Sequence, residues 1–171
     1  MKKKTLAFVI TIVLTAGVPA VIKAQQAAFK AAFLYHFTEY INWGQAPMKA
    51  FNFAVLEQSP ITTQMQIIAN EKKIKNKTIQ VKEYSTLETL ITCHILFIPE
   101  SSSVPIETIV SKFAGQPVLI VTEKEGYGKK GAHINFLVSN NKLRFEINMK
   151  AFNSSGITIS SQLLQHAIII E

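Results

Sequence analysis

Aspartate is absent from this 171-residue chain; all 11 acidic residues are glutamates. Calcium-type loops built on short carboxylates, phosphoaspartyl chemistry and Asp-dependent triads therefore have no candidates. Cysteine is nearly absent too. Cys93 stands alone, so no internal disulfide can form and the fold must stand on its apolar core. No nucleophile elbow of the form G-x-S-x-G occurs, and no two of the four histidines have ligand spacing. Cys93 and His94 are neighbours on one apolar run, so on a strand they point to opposite faces and cannot form one site. The chain reads as a non-enzymatic protein with no metal and no cofactor.

Long apolar runs are also missing. The longest near the start, about 13 residues from Leu6, is short of the roughly 20 that a spanning helix needs. It follows Met1-Lys2-Lys3-Lys4, and this order of a cationic start and a short apolar stretch is that of a secretory leader. Cleavage is expected after Ala24, with Ala20 as the alternative, leaving residues 25–171 as one domain of ordinary size. Lys2, Lys3, Lys4 and Lys23 would leave with the leader, taking four charges from the formal +7. The remainder carries no nucleic-acid signature and no segment that would insert into a membrane.

Along residues 25–43, Phe29, Ala32, Phe33, Phe37, Tyr40 and Ile41 recur at spacings of three and four, which predicts an amphipathic helix with His36 partly buried on the same stripe. Residues 51–57 predict a strand, and 60–70 a helix facing inward through Ile61, Met65 and Ile68. The lysine-rich run 72–77 predicts a solvated loop, residues 78–84 a strand, and 85–91 a short helix with a hydroxyl cap. The run 93–98 is apolar throughout, as suits a central parallel strand covered on both faces. A helix over about 105–113, a second apolar strand over 117–122, a turn of helix over 149–153 and a last helix carrying Leu163, Leu164, Ala167 and Ile168 complete the pattern. The sum is an α/β domain: a largely parallel sheet flanked by helices, ending in an antiparallel hairpin and a C-terminal helix.

The hairpin is the sharpest pattern. Leu143, Phe145, Ile147 and Met149 alternate with Lys142, Arg144, Glu146 and Asn148, and Ser139-Asn140-Asn141 supplies the turn. On its own it reads as an edge hairpin that closes a sheet. Its polar row, Arg144, Glu146 and Asn148, is either a charge pair stabilising the hairpin or a polar contact in a groove or partner surface. Arg144 is the only arginine in the chain. The glycines of Gly126-Tyr127-Gly128-Lys129-Lys130-Gly131 spell G-x-G-x-x-G but lead into a strand, whereas a dinucleotide site needs them to open a helix. A flexible loop is expected there.

Several runs resemble the YfiR family of small exported bacterial proteins: Phe37-Thr38-Glu39-Tyr40-Ile41-Asn42-Trp43, Cys93-His94-Ile95-Leu96-Phe97-Ile98, Gly115-Gln116-Pro117-Val118-Leu119, Ile134-Asn135-Phe136, Arg144-Phe145-Glu146-Ile147-Asn148, and Gly156-Ile157-Thr158-Ile159-Ser160-Ser161-Gln162-Leu163-Leu164. The resemblance implies a dimeric periplasmic α/β protein. It further implies a partner, the exported sensor domain of a membrane-bound diguanylate cyclase or a similar membrane sensor, held inactive so that cyclic di-GMP and biofilm formation stay low. Two positions depart from the family. Gly44 stands where a proline is usual, and Ala54 stands where many members carry the disulfide partner of the cysteine at 93, so redox control through that bridge is unavailable. From the C-terminal signature, Phe145, Ile157, Leu163 and Leu164 are expected as core or contact residues, beside Arg144, Glu146 and Asn148 as candidates for partner binding. The alternative function is an exported small-ligand binding module, with its cleft at the carboxyl ends of the parallel strands near Pro99 and Glu123.

Overall fold

The computed structural model describes the backbone of residues 18–44 and 49–171, and side chains from Ala24 onward. Most of the expected leader lies outside the described residues. Helix α1 (Val18–Tyr40) runs without a break through both expected cleavage positions. Among the described residues no helix is long and apolar enough to cross a membrane.

An eight-stranded sheet forms the middle layer. Five strands are mutually parallel: β2 (Phe51–Leu56), β4 (Lys77–Tyr84), β5 (Ile95–Ile98), β6 (Leu119–Thr122) and β7 (Ile134–Ser139). They lie in the order β4-β2-β5-β6-β7. The chain therefore starts in the interior at β2, steps outward to β4, and then crosses back to build in the other direction from β5. That reversal between β2 and β5 is the switch point at which open α/β sheets form crevices. Beyond β7 the sheet continues through β8 (Lys142–Asn148), antiparallel to it, and β10 (Ile168–Ile170), parallel to β8. A short strand β3 (Lys73–Ile74) flanks β4, and β1 (Ile41–Asn42) pairs with β9 (Thr158–Ile159) apart from the main sheet.

Period-two alternation divides the central strands between two cores. Ile95, Phe97, Leu119 and Val121 face α1 and α2 (Pro60–Glu71), together with Phe37, Phe53, Phe136, Phe145 and Ile147. Leu96, Ile98 and Ile120 face α3 (Ile106–Lys112), with Ile106, Ile109 and Phe113. Burial on both sides explains why β5 and β6 are apolar at nearly every position. Ser59, whose hydroxyl accepts from the Ile61 amide, and Pro60 at the first turn start α2 as the capping rules require.

Several elements differ from their sequence patterns. The buried face of α1 is Ala27, Ala31, Leu34, Phe37 and Thr38, continued by Ile41 just past its end, while Phe29 is 56% exposed. Small alanines let the helix axis approach the sheet, and that closeness outweighs the area one more phenylalanine would bury. His36 is consequently exposed beside Glu39, at 3.6 Å. The lysine run is not a plain loop: Lys75 and Asn76, at φ 48° and 65°, turn β3 into β4 and bury Ile74. Residues 85–91 form a turn rather than a helix, closed by Leu90 N–H to Leu87 C=O. So short a segment seldom repays helix nucleation; Leu87 and Leu90 pack inward and leave Ile91 83% exposed. The last helix, α5, is the single turn Ser161–Leu164, and the chain goes on into β10. That strand covers the hairpin, which is therefore not at the edge of the sheet.

Candidate functional site

At the carboxyl ends of β5 and β6 the strands stop short while the β7–β8 hairpin projects past them. The space left is a cleft of about 640 Å³ between the hairpin and the start of α1. Lys30 of α1 forms an ion pair across it with Glu123, the residue after β6, and both side chains are largely buried. Glu123 also accepts from the Glu100 amide at 3.3 Å, which ties the ends of β5 and β6 together. On the far side of this bridge lies a second hollow of about 410 Å³, walled by Gln58, Ser59 and Pro99 at the β2/β5 reversal. The loops around it are cross-tied: Ser103 donates to Glu57 at 3.1 Å, Lys124 donates to the Ser102 carbonyl at 2.7 Å, and the Tyr127 hydroxyl donates to the Val104 carbonyl at 3.3 Å.

The hairpin wall of the cleft carries Asn135 and Glu146, which face each other in the antiparallel register. Asn135 Nδ2 donates to Glu146 Oε2 at 3.0 Å. Arg144 lies opposite Leu137 and is exposed. The ion pairs among the described residues are Lys30–Glu123 and Lys130–Glu107, with His36 also near Glu39, so the charge-pair reading of Arg144 with Glu146 fails, and Glu146 turns to an amide across the ladder instead. Asn148 is buried. Its Nδ2 donates to the Gly128 carbonyl at 2.8 Å and its Oδ1 accepts from Ala151 at 3.0 Å, which caps α4 (Met149–Asn153) and pins the glycine loop.

Phe145 packs edge-on against Phe37 at 5.1 Å, and Ile157 and Leu163 lie in the same core, with Leu164 half-buried against it. Of the seven residues singled out by sequence, Arg144, Glu146 and Leu164 reach the surface. Lys30 and Asn135 belong to the cleft although no sequence signal marked them. Pro99 and Glu123 are where strand-end reasoning placed a cleft.

The opposite rim of the sheet holds two buried histidines. His94, just before β5, donates its backbone N–H to the Asn52 carbonyl at 2.9 Å and accepts the Asn52 N–H on Nδ1 at 2.8 Å. His133, just before β7, does the same with Ile120, at 3.0 and 3.1 Å. An Nδ1 that accepts belongs to a neutral ring with its proton on Nε2. Burial lowers both groups to about 4, helped at His94 by the charge of Lys77. Cys93 packs into the α3 side and His94 stacks on Phe51 at 4.2 Å on the α1 side, so the two point apart. Burial pushes the Cys93 thiol up to about 12, which keeps it protonated and unreactive. Among the described residues there is no group of three or more side chains able to hold a metal ion.

No curated protein matches the chain. The sequence profile of the YfiR/HmsC-like family matches residues 27–168, which is the whole of the sheet except the last residues of β10. The chain belongs to the YfiR/HmsC-like family.

Proposed function

We propose that this protein is an exported repressor whose leader, residues 1–24, is removed, and whose mature chain acts in the periplasm. There it holds the exported sensor domain of a membrane-bound diguanylate cyclase inactive, lowering cyclic di-GMP and biofilm formation. The observation that carries this reading is family membership across residues 27–168, a span that opens just beyond Ala24. In this reading the mature chain is a homodimer, binds no nucleic acid and catalyses nothing. Arg144 offers an exposed guanidinium outside the ion pairs of the described residues, suited to a carboxylate on the partner. Glu146 and Leu164 are the other surface candidates among the seven.

The test is crosslinking and recovery of the tagged protein from the cell envelope, alongside cyclic di-GMP levels in a deletion strain. A recovered cyclase with raised cyclic di-GMP is the expected result. No cyclase and unchanged cyclic di-GMP would sink the proposal. The mass of the exported protein reads the cleavage position, and light scattering reads the dimer. A second reading, an exported small-ligand binding module, is favoured by the cleft at the carboxyl ends of β5 and β6, beside the reversal of strand order.

A further inference from the structure

We infer that the glycine loop, residues 126–131, is a strap that opens while the rest of the fold stays closed, and that its lifting joins two hollows into one trench. One is the cleft of about 640 Å³ already described, which Gly126, Lys129, Asn135 and Glu146 border. The other, of about 350 Å³, lies at the far end of the loop and is bordered by Lys129, Gly131, His133 and Asn148. Between them the loop covers a polar floor. Asn135 faces Glu146 across the hairpin ladder, and two residues further along the Asn148 N–H donates to the His133 carbonyl at 2.9 Å. Alternation puts these side chains on the face away from Phe136 and Phe145. Gly128 rests directly on them, for a Cβ there would stand 2.8 Å from Glu146 Oε2 and 3.1 Å from Asn135 Cβ.

This floor is poorly matched to being covered. His133 Nε2 carries the ring proton, because Nδ1 accepts from Ile120. That donor and the acceptor Asn135 Oδ1 are both buried with no hydrogen-bond partner among the described residues. Each penalises the closed state, and each would be hydrated once the loop lifts. The hold on the loop is light by comparison. Its buried tie is Asn148 Nδ2 to the Gly128 carbonyl at 2.8 Å. The Tyr127 hydroxyl to the Val104 carbonyl, at 3.3 Å, and Lys130 to Glu107, at 3.6 Å, lie nearer the surface. Gly126 and Gly131 stand at the two ends with φ of 78° and 112°. Glycine passes in and out of that region without steric cost, which suits both to act as hinges. Once lifted, the loop keeps little more than turn bonds such as Lys130 N–H to Tyr127 C=O at 3.2 Å, so a protease can seize it.

The experiment is trypsin cleavage of the exported chain under native conditions, with cuts after Lys129 and Lys130 followed by mass spectrometry and repeated in urea below the unfolding transition. Cleavage of a transiently opened segment follows the population of its open form, and urea favours opening in proportion to the surface exposed. The expected rate is nearly independent of urea. Asn148→Ala should raise it about tenfold, and Asn135→Leu combined with Glu146→Leu, which exchanges the polar pair and its orphan for an apolar pair, should lower it about tenfold. A rate that climbs with urea as steeply as global unfolding would mean that the loop opens only with the whole fold, and the inference falls. It falls equally if neither substitution moves the rate. Circular dichroism establishes that the variants are folded; should the double variant not fold, the urea dependence of the unaltered chain decides alone.

Discussion

At the amino-end rim of the parallel strands, two histidine rings take the N–H groups of Asn52 and Ile120 that the ladder would otherwise leave open. At the carboxyl-end rim the ladder simply stops, and the Lys30–Glu123 ion pair and three further glutamates line the space. Both rims face the same problem, because a strand end exposes peptide groups that must be paired or hydrated. One is closed by neutral, buried rings whose Nδ1 atoms take up the open N–H groups, with His133 Nε2 left buried and unpartnered behind them. The other is left polar and concave, which is where an α/β sheet can spare stability for binding.

Acid should break the sealed rim most severely. His94 and His133 sit at about 4 when folded against an ordinary value of 6.5, so between those values the unfolded chain holds protons that the folded chain refuses. Their contribution is complete above pH 6.5 and drains away as pH falls toward 4. The shift of the deeply buried His133 is worth on the order of 3 kcal/mol, and that of His94, partly screened by solvent, less. Urea midpoints measured from pH 7 to pH 4 should fall steeply, with both ring resonances unmoved until the protein opens. A midpoint that stays level across that interval would show that the rings are not held neutral.

The joint between the rims comes next. Asn148→Ala removes two buried hydrogen bonds, to Gly128 and to Ala151, and should cost about 2–3 kcal/mol. Gly128→Ala drives a methyl against Glu146, Ile170 and Asn135 and should cost about 1–3 kcal/mol. Thermal unfolding of the two variants measures both, and a neutral Gly128→Ala would mean that the loop moves away freely. At the open rim, Glu123→Gln leaves the largely buried Lys30 ammonium without its partner and should cost about 1–2 kcal/mol, with little relief from salt. If that substitution proved as damaging as Asn148→Ala, the contrast between a sealed and an open rim would be mistaken.

The sealed layers were legible because burial writes itself into period. Ile95 to Ile98 and the alternation of Phe145 and Ile147 announce their strands. The facing of α1 was not legible, since Phe29 carries more apolar area than Ala27 or Ala31, yet closeness to the sheet favours the alanines. Nor was β10: Ala167 and three isoleucines form a short apolar run that suits a helix or a strand equally by period, and β-branching decides it once a vacant edge lies beside β8. Strand-end reasoning reached Pro99 and Glu123. It missed Asn135, because a polar residue alternating with apolar ones reads as outward-facing. The glycine loop that covers that face is held by Asn148, a contact thirteen residues further along the chain.

Arg144→Ala carries the smallest expected change in the fold and separates surface from structure most cleanly. The side chain is exposed, stands opposite Leu137 and belongs to none of the ion pairs among the described residues. Its removal should therefore shift unfolding by no more than about 0.5 kcal/mol. If the proposed repressor docks through this strand, the same substitution should weaken capture of the cyclase sensor domain about tenfold or more, the loss expected when one partner of a charged contact is removed. Titration calorimetry against the isolated sensor domain reads the affinity, and urea unfolding reads the fold. Unchanged affinity would move the partner surface off this strand and toward Leu164, while a large loss of stability would show that Arg144 holds the hairpin after all.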